Sequence, residues 1–216
     1  MQRPDRERET RLSIHLYKDA ERTQRISEGD MTAPDTDVFD GVAGDEKDCQ
    51  IYVANEQTAL ESPIGVSGTT LSLVGSRFTN GDILIVDAEL MQVMSGGGTA
   101  VLTVQRGNGG TAAAAHTAGT KIYSACNYTD LSVQPIDAEG TDESSWCTVA
   151  LTQQELDACT PGEALLLGSK TYIQPLSFWR RITVPAGTPM HNKSDLKFRI
   201  TGTESLASEE IQIGIS

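Results

Sequence analysis

Residues 81–125 read GDILIVDAELMQVMSGGGTAVLTVQRGNGGTAAAAHTAGTKIYSA, and this run decides the fold class. DILIVD (82–87) has the length and continuous apolar character of a buried strand. ELMQVMS (89–95) alternates apolar and polar, as a half-buried strand does. Gly96-Gly97-Gly98 supplies a turn, and AVLTVQR (100–106) is the next strand. After Gly107-Asn108-Gly109-Gly110 and an Ala-rich stretch, TKIYSA (120–125) closes the set, and TTLSLV (69–74) precedes it. Five short strands separated by Gly turns predict a small, self-contained β-barrel or sandwich.

Outward from this core, further strands follow, with alternation in SIHLY, SFWRRITVP and DLKFRITGT. SIHLY (13–17), IYV (51–53), YTDLSVQP (128–135), SWCTVAL (145–151), SFWRRITVP (177–185), DLKFRITGT (195–203) and EIQIGIS (210–216) all read as strands. One short helix is predicted near 152–160. Thr152-Gln153-Gln154-Glu155 fits a capping box, and Pro161-Gly162 ends the helix. No long 3.6-residue periodicity occurs, so the chain is expected to be all-β. Residues 1–12 carry four Arg, two Glu and one Asp, and form a polar arm with nothing to bury. Residues 30–48 form an acidic loop with seven acids and one Lys.

The chain has 216 residues and a formal charge of −13, from 30 acidic and 17 basic side chains. A phosphate backbone rewards clustered Lys and Arg, so this balance argues against direct nucleic-acid binding. No run reaches the roughly 20 apolar residues that span a bilayer as a helix. The N-terminus lacks the apolar core of a signal peptide, so synthesis in a reducing cytoplasm is expected. Cys49, Cys126, Cys147 and Cys159 are then free thiols by default. Disulfides within or between subunits remain the alternative if the protein reaches an oxidising medium.

The charge is segregated. Residues 130–163 hold eight acids and no base, whereas 168–200 hold six bases and one acid. Two readings follow: pairing within the chain or on solvated faces, or a self-complementary surface on which copies meet. The candidate contact residues are Arg3, Arg6, Arg8 and Arg11 in the arm, with Arg180, Arg181, Lys197 and Arg199 in the basic stretch.

Tests for chemistry return little. Gly107-Asn108-Gly109-Gly110-Thr111-Ala112 matches a dinucleotide fingerprint, but its helix would be an Ala run that Gly119 ends early. A Gly-rich hairpin or loop is the simpler reading. Asp35-x-Asp37-x-x-Asp40-Gly41 resembles a calcium loop, with the third acid one position late and no Glu at position 12. His15, His116 and His191 share no ligand spacing. A Cys126–His116 nucleophile has no local support. Neither catalysis, a metal nor a cofactor is expected.

The pieces ILIVD-ELM, VLTVQRG and GGTAAAAH–AGT resemble a small β module of structural proteins in tailed-bacteriophage virions. FWRRITVPAGTP and DLKFRITGT resemble sandwich domains of phage neck and tail proteins. The resemblance implies a non-enzymatic virion protein, assembled in the host bacterial cytoplasm in multiple copies. Its place would be the neck, collar, connector or tail, against further copies and neighbouring virion proteins, without membrane contact. Capsid decoration, or an adhesin binding a receptor or carbohydrate, is the alternative. For the adhesin, Trp146, Tyr172, Phe178 and Trp179 are the candidate stacking aromatics. Chain order carries the organisation further: IYVANEQT (51–58) reads as a strand leaving a sandwich and NYTDLSVQP (127–135) as one re-entering it. The expected architecture is therefore an Ig-like or jelly-roll-type sandwich of residues 13–60 and 126–216, with residues 61–125 inserted as a small barrel. One continuous β fold is the competing organisation.

Overall fold

The computed structural model describes residues 13–28, 32–75, 78–137, 142–190 and 196–207. The N-terminal arm and the expected strand 210–216 lie outside the described residues. The fold is all-β.

Six strands form the barrel: β3 (Gln57–Ala59), β4 (Thr70–Ser72), β5 (Ile83–Val86), β6 (Glu89–Ser95), β7 (Val101–Gln105) and β8 (Lys121–Ser124). They pair antiparallel in the order β3-β8-β5-β6-β7-β4. The two end strands then meet. Leu60 bridges Leu73, Glu61 N–H donates to Ser72 O at 2.8 Å, and Val74 N–H donates to Ala59 O at 3.0 Å. The closed sheet has no long open edge to attract another strand. Alternation fills it: Leu102 and Val104 of β7 point inward, while Val101, Thr103 and Gln105 are exposed. Leu71, Phe78, Leu84, Val86, Met91 and Val93 complete the interior with Leu60 and Ile122. At Gly96, φ is +83° and a Cβ would lie 2.2 Å from Val101 O, so the β6–β7 turn demands glycine.

The second layer system is a sandwich. One sheet has the order β1-β2-β12-β10, built from β1 (Ile14–Tyr17), β2 (Asp45–Asn55), β12 (Leu176–Val184) and β10 (Cys147–Ala150). The other has the order β11-β9-β13, built from β11 (Leu165–Lys170), β9 (Cys126–Asp137) and β13 (Leu196–Leu206). Ile51, Val53, Val149 and Phe178 from the first sheet pack against Tyr128, Leu131 and Val133 from the second. Phe178 and Phe198 meet edge to face, with ring centroids 5.5 Å apart.

Several elements differ from expectation. β2 begins at Asp45, six residues before Ile51, so the acidic loop is shorter. Cross-strand charge makes this possible: Asp48 lies opposite Arg181 on β12, and Glu46 opposite Thr183. β3 supplies a sixth barrel strand that begins at Gln57. β11 was not foreseen, because LLLGSK lacks alternation and its pairing slips around Gly168. The helix is a 3-10 helix, Gln153–Ala158, in which Glu155 accepts the Thr152 N–H at 3.0 Å. All four residues of β1 are buried, whereas SIHLY had suggested one wet face. Residues 112–115 form no helix, which removes the pyrophosphate end that the dinucleotide reading required.

All six barrel strands fall between β2 and β9 in sequence, and none pairs with a described sandwich strand. Asn55, the last residue of β2, is fully buried, and its Nδ2 donates to Ser124 O at 3.1 Å and Cys126 O at 2.8 Å. The strand leaving the sandwich and the strand returning to it are thereby clasped together. Residues 56–125 expressed alone are therefore expected to melt in one cooperative thermal transition. A fragment lacking such a transition would overturn the independence of the barrel. In the full chain, Leu102→Ala is expected to cost about 2–5 kcal/mol by chemical denaturation.

Candidate functional site

Three buried polar clusters stand out among the described residues. The first lies inside the barrel wall. Glu89 opens β6 after the β5–β6 turn, where Asp87 takes a left-handed φ of 53°. Its carboxylate is 1 % exposed and accepts from Arg106 Nε and Nη2, both at 2.6 Å. It also accepts from the backbone N–H groups of Gly107 at 3.2 Å and Ala114 at 3.0 Å, and pairs with His116 Nε2 at 3.0 Å. His116 Nδ1 meets Asp87 at 2.8 Å. Arg106 Nη1 donates to the carbonyls of Gly65 at 3.0 Å and Gly68 at 2.8 Å. Burial alone would raise the Glu89 carboxyl, but the Arg106 pair, the two backbone donors and His116 outweigh it and hold it at about 2. One carboxylate thus fastens β6, the end of β7, and the 107–116 loop.

The second cluster lies where barrel and sandwich join. Lys170, the last residue of β11, is 5 % exposed and donates to Asn55 Oδ1 and to Thr171 O at 2.8 Å. Its ammonium sits 5.7 Å from the Tyr128 ring centroid. Burial, reinforced by the charge of Arg22, pushes the Lys170 amine down to about 7. Tyr128 donates to Glu204 at 2.7 Å, and burial pushes the Tyr128 hydroxyl upward.

The third cluster ties loop 32–40 and the 3-10 helix to the first sheet. Arg180 is 3 % exposed and pairs with Asp35 at 2.7 Å and with Asp37. Lys18 also reaches Asp35, at 3.2 Å. Arg181 pairs with Asp48 at 2.7 Å, Glu46 at 3.1 Å, and Asp157 of the 3-10 helix. Arg180 and Arg181 therefore follow the pairing-within-the-chain reading. Lys197 and Arg199 are exposed on β13 and make no ion pair with another described residue. Arg3, Arg6, Arg8 and Arg11 lie outside the described residues.

The calcium-like run resolves in the same way. Asp35 and Asp37 face Arg180, and Asp40 accepts the N–H groups of Val42 at 2.9 Å and Ala43 at 3.1 Å. No cluster of three or more His, Cys, Asp or Glu suited to a metal ion occurs among the described residues. All four cysteines are free thiols in this structure. Burial pushes Cys126 and Cys147 up to about 12, which keeps them protonated and unreactive. Both ring nitrogens of His116 are taken by carboxylates, so it is not available as a base for Cys126.

Of the candidate stacking aromatics, Phe178 is fully buried in the sandwich core. Tyr172 is half-buried edge to face against Tyr123, with centroids 5.7 Å apart. Trp146 and Trp179 are half-buried. None of these clusters announced itself by local spacing. Glu89, Arg106 and His116 are separated by 10 or more positions in sequence, and only barrel closure joins them. No protein-family model matches the chain, and a search of the curated proteins finds no match.

The Glu89 carboxyl is lower in the folded chain than its ordinary value of 4.5. Its contribution is therefore complete above pH 4.5 and is lost as pH falls toward 2. At about 1.4 kcal/mol per pKa unit, the full effect is about 3 kcal/mol. Thermal melts from pH 6 to pH 3 should show this acid-side loss in the native chain and a shallower one in Glu89→Gln. Parallel pH profiles would overturn the assignment. Arg106→Ala, which strands a buried carboxylate, is expected to cost about 3–5 kcal/mol at neutral pH.

Proposed function

We propose that this chain is a non-enzymatic structural protein of a tailed-bacteriophage virion, working in multiple copies at the neck, collar or tail. The observation that carries the reading is where the phage-like residues lie. ILIVD-ELM, VQRG and AAAAH converge on the Asp87–Glu89–Arg106–His116 cluster, whose polar atoms bond one another and the local backbone. The resemblance is thus to a piece of architecture, a barrel locked by a buried ion pair.

The surface supports assembly in copies. β10, β11 and β13 end their sheets among the described strands, and unpaired strand edges are templates for association. Lys197 and Arg199 project from β13, and acidic residues 130–163 offer an opposite charge to them on a neighbouring copy. Val38, Val42 and Met190 are 85 %, 85 % and 104 % exposed. The loops bearing them are joined by Thr188 N–H to Gly41 O at 2.9 Å and Gly187 N–H to Val42 O at 3.2 Å. That end of the sandwich presents apolar side chains for a neighbour to cover.

Two measurements test the reading. An electron-microscopy map of the particle should show repeated copies at the neck or tail. Density on the capsid face or at a receptor-binding tip would replace the reading with decoration or adhesion. Separately, Lys197→Glu combined with Arg199→Glu should leave the thermal transition in place and reduce incorporation into particles. Undiminished incorporation would remove β13 from the subunit contact.

A further inference from the structure

Lys170 and Asn55 end two strands that belong to opposite sheets of the sandwich, β11 and β2. They are 115 positions apart in sequence, yet the lysine Nζ rests on the asparagine Oδ1. Both side chains are buried, Lys170 at 5 % and Asn55 at 0 % exposure. The amide cannot turn away, because its Nδ2 is held by the carbonyls of Ser124 and Cys126. The amine cannot turn away readily either, since the Tyr128 ring and the Thr171 carbonyl enclose it. No carboxylate forms an ion pair with Lys170 among the described residues. A lysine serving only as a structural cation would ordinarily have one when buried this deeply.

We propose that Lys170 and Asn55 react with each other to form an intramolecular isopeptide bond that joins the two sheets covalently. The chemistry needs no oxidant, metal or cofactor. The unprotonated Nζ donates its lone pair to Cγ of Asn55, one bond from the oxygen it already contacts. The Cγ–Nζ bond forms and the Cγ–Nδ2 bond breaks. Nδ2 leaves as ammonia, carrying away the proton that Nζ gives up. Amine plus primary amide becomes secondary amide plus ammonia, with atoms and electrons balanced.

The surroundings suit each step. Held in contact, the two groups react as a unimolecular pair. A neutral amine is the nucleophile, and burial together with Arg22 favours that form at and above neutral pH. The Ser124 and Cys126 carbonyls accept hydrogen bonds from the departing nitrogen. The proton that Nζ gives up passes directly to Nδ2, which is bonded to the same Cγ once the Cγ–Nζ bond has formed. Exclusion of water protects the asparagine from simple hydrolysis.

The test is intact-mass spectrometry of the purified full chain, followed by peptide mapping. The expected mass is lower than the sequence mass by one ammonia. A branched peptide should connect the segments containing Asn55 and Lys170. Lys170→Arg, which replaces the nucleophilic amine with a guanidinium, and Asn55→Ala should each restore the full sequence mass. Under denaturing electrophoresis the native chain should migrate faster than Lys170→Arg, because the bond closes a large loop. A native chain of full sequence mass with no branched peptide, after extended incubation at pH 8, overturns the proposal. Loss of ammonia without the branched peptide assigns it to asparagine cyclisation elsewhere and overturns it equally.

Discussion

The fold depends on one buried side-chain amide. Asn55 ends β2 and donates to the carbonyls on either side of Ala125, at Ser124 and Cys126. A chain that leaves a sandwich for some 70 residues must return within a few ångströms of its exit, or β9 cannot take its place in the second sheet. The Asn55 side chain makes that return together with the β3–β8 ladder and Ser124 N–H, which donates to Glu56 O at 3.1 Å. The bridge between Leu60 and Leu73 then joins the two edge strands of the barrel sheet, β3 and β4. Satisfying two backbone carbonyls also removes acceptors that would be costly to leave bare in a dry junction.

Burial of charge recurs as a method of joining loops to sheets. Glu89 draws the 107–116 loop onto the barrel, Arg180 draws residues 35 and 37 onto β12, and Arg181 draws in Asp157. A buried ion pair adds little net stability over an apolar pair, but a broken one is severely penalised. The arrangement therefore selects one loop conformation more than it deepens the energy of the whole. It also explains why a chain with only 11 aromatic residues among 216 can hold long irregular segments in place.

Much of this was legible in the sequence, for identifiable reasons. ELMQVMS matches β6 to the residue, although its first three residues are all buried, Met91 towards the barrel interior and Leu90 against Tyr172 and Ala207. DILIVD reads as a short buried strand, and β5 is buried from Leu84 to Val86 with Ile83 partly so: Leu84 and Val86 face the barrel interior, and Ile83 and Ile85 face outward onto Tyr172 and Ala207. β11 escaped because LLLGSK carries neither alternation nor a clean register. The start of β2 escaped because DEKD is a poor strand former whose partners lie on β12, over 130 positions away. The clusters were out of reach for the same reason. Charge segregation suggested contacts between copies or within one, and only the tertiary register places Arg180 and Arg181 against Asp35 and Asp48.

The outward strip of β5 and β6 has a consequence for how such a protein can change. Ile85, Leu90 and Ala125 are buried by Tyr172 and Ala207, residues that belong to the host sandwich. The barrel thus has a portable inside and a host-specific outside. Moved into another protein, its interior and its ion-pair lock would travel intact, whereas the Ile85–Leu90 strip would need a matching surface or polar replacements. Recombination among modular genes would therefore preserve the lock and rewrite the strip, and two such barrels with identical interiors would still differ in which bodies they can be mounted upon.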